Sequence, residues 1–112
     1  MAKLAKNGSA KKIQDAATRQ IFAALKAAFP NLSDDPRQVV YRYNPVAIRA
    51  RIVSPKFTGR SLAEREEMVL TALDSVPSEI TDDISLLLMM SPREAKRPDY
   101  AAREFDEPQL HL

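Results

Sequence analysis

The chain has 112 residues, 45% of them hydrophobic and 29% charged, the proportions of one small soluble globular domain. No apolar run approaches the roughly 20 residues that a membrane-spanning helix needs, and the absence of cysteine excludes disulfides, thiolate metal ligands and a Cys nucleophile and suits a cytoplasmic protein. The net charge of +2 is unevenly spread, because residues 1–12 carry four lysines whereas residues 13–92 hold nine basic and ten acidic side chains and residues 93–112 four and five. The basic character therefore belongs to the N-terminal arm and not to a domain built to hold nucleic acid.

Residues 1–11, lysine-rich around Asn7-Gly8-Ser9 and without the apolar h-region of a secretory signal, read as a flexible basic arm. From Lys12 to Phe29 the residues Ile13, Ala17, Ile21, Leu25 and Ala28 recur at helical spacing, widened by Phe22, Ala24 and Phe29 and closed by Pro30. The spacing predicts an amphipathic helix with one core-facing stripe. The turn formers of residues 31–36 follow. Val39, Tyr41 and Tyr43 alternate with Val40 and Arg42, a strand pattern that Asn44-Pro45 ends. Val46, Ile48, Ala50 and Ile52 then alternate with Ala47, Arg49 and Arg51, which predicts a second strand antiparallel to the first.

Residues 54–61 read as a loop. Phe57 can plug the gap between strand and helix, Gly59 permits a turn that a Cβ would strain, and Ser61 with Glu64 has the spacing of a capping box. The helix that follows carries Leu62, Arg65, Met68, Val69, Ala72 and Leu73 as its inward stripe, runs to about Ser75 and has Pro77 beyond its end. Ile84 to Met90, an almost unbroken apolar run, is the third strand. The expected fold is α+β in the order α-β-β-α-β. A three-stranded mixed sheet has both helices on one face, and the second and third strands are parallel across a βαβ crossover. The packed domain spans residues 12–92. Residues 93–112 read as a charged tail, mostly disordered or loosely docked, with a short helix near Tyr100–Phe105.

This order, with Val53-Ser54-Pro55-Lys56-Phe57-Thr58-Gly59-Arg60-Ser61-Leu62 and the Arg65, Val69 and Leu73 that follow, resembles the BolA family over roughly residues 13–92. That family has a V-S-x-x-F-x-G-x-S loop, a helix with Arg, Val and Leu at these spacings, and a third strand closing in T-P, where this chain has Ser91-Pro92. The resemblance implies a scaffold similar to the type II KH fold. It also implies a non-enzymatic role as partner of a monothiol glutaredoxin in redox or iron–sulfur homeostasis, often through a shared 2Fe–2S cluster to which the BolA-type subunit contributes histidine. The chain departs from the family at those ligands. The position written R-H-R reads Arg65-Glu66-Glu67, and the histidine expected ahead of the third strand falls on Asp82 or Asp83. Carboxylates are hard oxygen ligands and poor replacements for imidazole on iron–sulfur, so no cofactor is expected. The single histidine, His111, reads as a solvated tail residue.

Arg42, Arg49 and Arg51 are expected on the sheet face opposite the helices, where like charges ask for an anionic partner or nearby carboxylates. That makes a nucleic-acid-binding regulator the alternative function, although the G-x-x-G clamp of KH domains is missing, the only glycines being Gly8 and Gly59. Leu87 and Met89 are expected to point to the same face. There they form either a protein-binding or dimer strip or a surface covered by the C-terminal segment through Tyr100 and Phe105. Glu79, Asp82 and Asp83 read as a solvated loop and not as a metal site, and residues 99–108 as either a recognition peptide or an acidic disordered tail. No nucleophile elbow is present. The expectation is a monomer or weak homodimer with no catalytic residues.

Overall fold

The computed structural model describes residues 12–97 and 100–108, so the lysine arm of residues 1–11 and His111 lie outside the described residues. The elements in chain order are α1 (Ala16–Ala28), β1 (Val40–Asn44), β2 (Ala47–Val53), α2 (Leu62–Ala72), α3 (Ser78–Thr81), β3 (Ile84–Met90), α4 (Pro92–Ala95) and α5 (Tyr100–Asp106). Single 3-10 turns occupy Pro36–Gln38 and Pro55–Phe57. The α-β-β-α-β frame is as expected, α5 falls where a short C-terminal helix was expected, and α3 and α4 are additions.

The first helix starts later than the apolar spacing suggests, because Asp15 caps it. The Asp15 carboxylate accepts from Thr18 N–H, and Asp15 N–H donates to Thr18 Oγ1, both at 2.9 Å, which satisfies two backbone groups at once. Ile13 falls outside the helix and forms an isolated bridge with Arg42. Ile21 and Leu25 lie one turn apart on the buried stripe, and Phe29 N–H closes the last turn on the Leu25 carbonyl at 2.7 Å.

β1 pairs antiparallel with β2, and β2 parallel with β3, in the order β1-β2-β3. On one face Val40, Ile48, Ala50 and Ile52 meet Ile21, Leu25 and Phe29 from the first helix and Val69 and Leu73 from the second. Phe57 is buried against Phe29, ring centroids 5.3 Å apart. Leu62, expected in the inward stripe of α2, is instead 71% exposed; it is the first residue of the helix, where the chain is still arriving from the loop.

The segment read as a charged tail, mostly disordered or loosely docked, with a short helix near Tyr100–Phe105, holds most of α4 and all of α5. Ser91 caps α4 with Glu94, and Phe105 of α5 is fully buried on the sheet face opposite α1 and α2. Its ring lies 4.9 Å from that of Tyr41, and Tyr41 Oη donates to the Phe105 carbonyl at 2.9 Å. The sheet is thus covered on both faces, with two helices on one and a single short helix on the other.

The two edges of the sheet differ. The N-terminal chain lies along β1, where Arg42 N–H donates to the Ile13 carbonyl (2.8 Å) and Gln14 Nε2 to the Val40 carbonyl (2.7 Å). Among the described residues no strand pairs with the outer edge of β3.

Candidate interaction site

The strand arginines expected on one face are divided by the register. Tyr41 faces Arg49 across the ladder, whereas Arg42 faces Ile48, and opposed residues share a face. Arg42 therefore lies on the side of α1 and α2, a correction that follows from strand parity. Its guanidinium pairs with the α1 cap Asp15 and with Asp83 (3.3 Å) and donates to the Pro45 carbonyl (3.1 Å). Burial pushes the Asp15 carboxyl up, but the Thr18 N–H and Arg42 bonds outweigh it and hold the group below the usual carboxylate range.

Arg49 and Arg51 do occupy the expected face, and α5 supplies their anions. Arg49 Nη1 pairs with Glu104 Oε2 at 3.1 Å, both side chains only 12% exposed, and its guanidinium stacks 3.7 Å from the Tyr43 ring centroid. Arg51 Nη1 pairs with Asp106 Oδ1 at 2.8 Å and lies over Phe105 at 4.6 Å. Two charges of one sign on neighbouring positions require compensation, and the chain provides it from its own C-terminal helix. Sequence reading left Phe105 as one of two open possibilities and did not find Glu104 or Asp106, since nothing in the spacing of a charged segment says which strand residues it will meet.

Leu87 and Met89 also change sides. Ala50 is in register with Leu87 and Ile52 with Met89, and both apolar side chains pack against the main core. The residues beside the arginines are Leu86 and Leu88, in register with Arg49 and Arg51. The cause is an irregularity at Ser85: the register passes from Ile48–Ile84 directly to Arg49–Leu86, and a one-residue slip exchanges the two faces of a strand.

The loop from Ser54 to Ser61 is built as its residue types suggest. Ser54 Oγ accepts from Lys56 N–H (3.1 Å), Gly59 has φ +76°, and Ser61 and Glu64 form the reciprocal capping box at 3.1 and 2.9 Å. Arg65 is the joint between this loop and the C-terminal end of β3. It donates to the carbonyls of Arg60 and Met89, each at 3.0 Å, and grips Glu94 with both terminal nitrogens at 2.6 and 3.1 Å. This fork, with the Ser91 N–H behind it, holds the Glu94 carboxyl at about 2, well below its ordinary 4.5.

Glu66 and Asp83, which stand where the resemblance would put histidines, do not converge. Glu66 is exposed on α2 next to Arg65, whose guanidinium reaches Met89 near the end of β3. Asp83 precedes the start of β3 and is engaged with Arg42. Strand rise separates Asp83 from Met89 by about 20 Å, and no group of three or more His, Cys, Asp or Glu among the described residues could hold a metal ion. The described residues do not fit a 2Fe–2S cluster.

What the outward side of α2 does offer is apolar surface. Leu62 (71% exposed) and Leu70 (59%) stand four residues either side of Glu66, and residues four apart follow one side of a helix. The groove between this helix and the end of α1, about 460 Å³, is lined by Phe29, Lys56, Arg60, Glu67 and Met68. No described helix is long and apolar enough to cross a membrane. A scan against protein-family models and a search of the curated proteins find no match to this chain.

Proposed function

We propose that this protein is a non-enzymatic interaction module of BolA-like type. It binds a monothiol glutaredoxin in cytoplasmic redox or iron–sulfur homeostasis, and it does so without ligating a cluster. The observation that carries the reading is the exposed pair Leu62 and Leu70 flanking Glu66 on α2, on a helix launched by the Phe57–Gly59–Ser61 connection that carries the resemblance. Apolar side chains held in water on a rigid helix favour a protein partner. Nucleic acid is the less favoured partner, because Arg49 and Arg51 are already matched by Glu104 and Asp106.

Titrating the isotope-labelled protein with a monothiol glutaredoxin, in apo form and with reconstituted cluster, tests this. Amide shifts centred on α2 are expected in both states, with Leu62→Ala/Leu70→Ala weakening binding by at least about tenfold, the loss of roughly 1.4 kcal/mol that removing interface anchors brings. An absence of shifts in both states would falsify the proposal.

A further inference from the structure

Ile84 to Met90 contains neither a charged residue nor a proline, the features that commonly block pairing at an exposed strand edge. Among the described residues no strand pairs with the outer side of its backbone at the centre. The Met90 carbonyl turns inward to Ser54 N–H (2.9 Å), whereas the Met89 carbonyl turns outward and is taken by Arg65. Alternation then points the Leu87 N–H and carbonyl outward. The side chains beside that edge are apolar on both faces and only partly buried: Leu87 and Met89 toward the core, Leu86, Leu88 and Met90 toward the α5 side.

Charge selects what can lie there. The exposed Glu79 and Asp82 precede the strand, and the exposed Arg93, Lys96 and Arg97 follow it. A parallel copy would set like charges together at each end. An antiparallel copy sets the acidic end of each strand beside the basic end of the other, and two-fold symmetry makes that match twice. We propose that the outer edge of β3 is a homodimer interface, in which a second copy of this chain pairs its own β3 antiparallel about an axis near Leu87. The two three-stranded sheets then become one continuous sheet, and the apolar side chains on both faces of β3 gain cover. This interface lies on β3 and does not depend on a glutaredoxin partner.

Sedimentation equilibrium of the full chain at low salt tests it. The mean mass should rise with concentration toward that of a dimer. Ser85→Lys, at an exposed edge position, should return the chain to monomer with an unchanged far-UV spectrum. Glu79→Lys/Asp82→Lys should weaken association by about tenfold or more, as juxtaposed like charges do, and adding Arg93→Glu/Lys96→Glu to that variant should restore it. A chain that is monomeric at every concentration, a dimer indifferent to Ser85→Lys, or a charge-reversed pair that fails to rescue would each overturn the antiparallel β3 dimer.

Discussion

Arg65 satisfies four acceptors at once, two carbonyls and both oxygens of Glu94. The linkage has a definite sign. A carboxyl whose pKa is lower in the folded chain contributes stability that is complete above its ordinary 4.5 and is lost as the pH falls toward about 2. The melting temperature of the native chain should therefore exceed that of Glu94→Gln at pH 6, and the gap should close on acidification to pH 2; a gap that does not change with pH would show that this pair is not responsible. Phe57, fully buried, should cost about 3–5 kcal/mol when changed to Ala. At Gly59 a Cβ would meet no atom within 4 Å, so only its φ of +76° opposes a side chain, and Gly59→Ala should cost about 1 kcal/mol. Urea midpoints at constant m-value measure both, and equal losses would mean that packing and backbone strain have been wrongly separated here.

At the scale of elements, the strength of the periodic signal decided what could be read. β1 and β2 were legible as an antiparallel pair with bounds good to within a residue, while their register was not. β3 was equally visible as a strand, but an unbroken apolar run has no period, so neither the irregularity at Ser85 nor the face taken by Leu87 could be read from it. Arg42 was misplaced for a related reason: the antiparallel register decides which strand positions share a face. The Ser91 and Glu94 spacing that caps α4 has the capping-box pattern but was not read from the sequence. The docking of α5 could not be, since it depends on distant residues: Tyr41, Arg49 and Arg51. If that docking stabilises the fold, Phe105→Ala should lower stability by about 2 kcal/mol or more, approaching the ~3–5 kcal/mol of a buried Phe, and should speed hydrogen exchange in α5 ahead of β2. An unchanged melting curve would refute the docking.

For the whole molecule, the charge asymmetry sets what an anionic polymer would find. The domain surface has its strand arginines paired within the chain, while the lysines concentrate in the first twelve residues. Any binding to a single-stranded oligonucleotide should fall steeply with salt and vanish in Lys3→Ala/Lys6→Ala/Lys11→Ala. Binding that survives this change would mean that the arginine face is open to ligands. The candidate site was legible to a similar depth: the Phe57–Gly59–Ser61 connection could be found from residue types and Glu66 only through the family resemblance, whereas the exposure of Leu62 depended on the angle at which the loop delivers the helix.

The contact between Tyr41 and Phe105 also gives the chain an optical gauge. With no tryptophan and three tyrosines, its near-ultraviolet signal is dominated by phenols, and Tyr41 is fully buried. Burial raises its pKa above 10.0, so Tyr41 should ionise late in an alkaline spectrophotometric titration. Ionisation favours release of the ring, so α5 should begin to lift as the pH passes the raised value. The late step of that titration, followed at one wavelength with no added dye, then reports how firmly the C-terminal helix is seated.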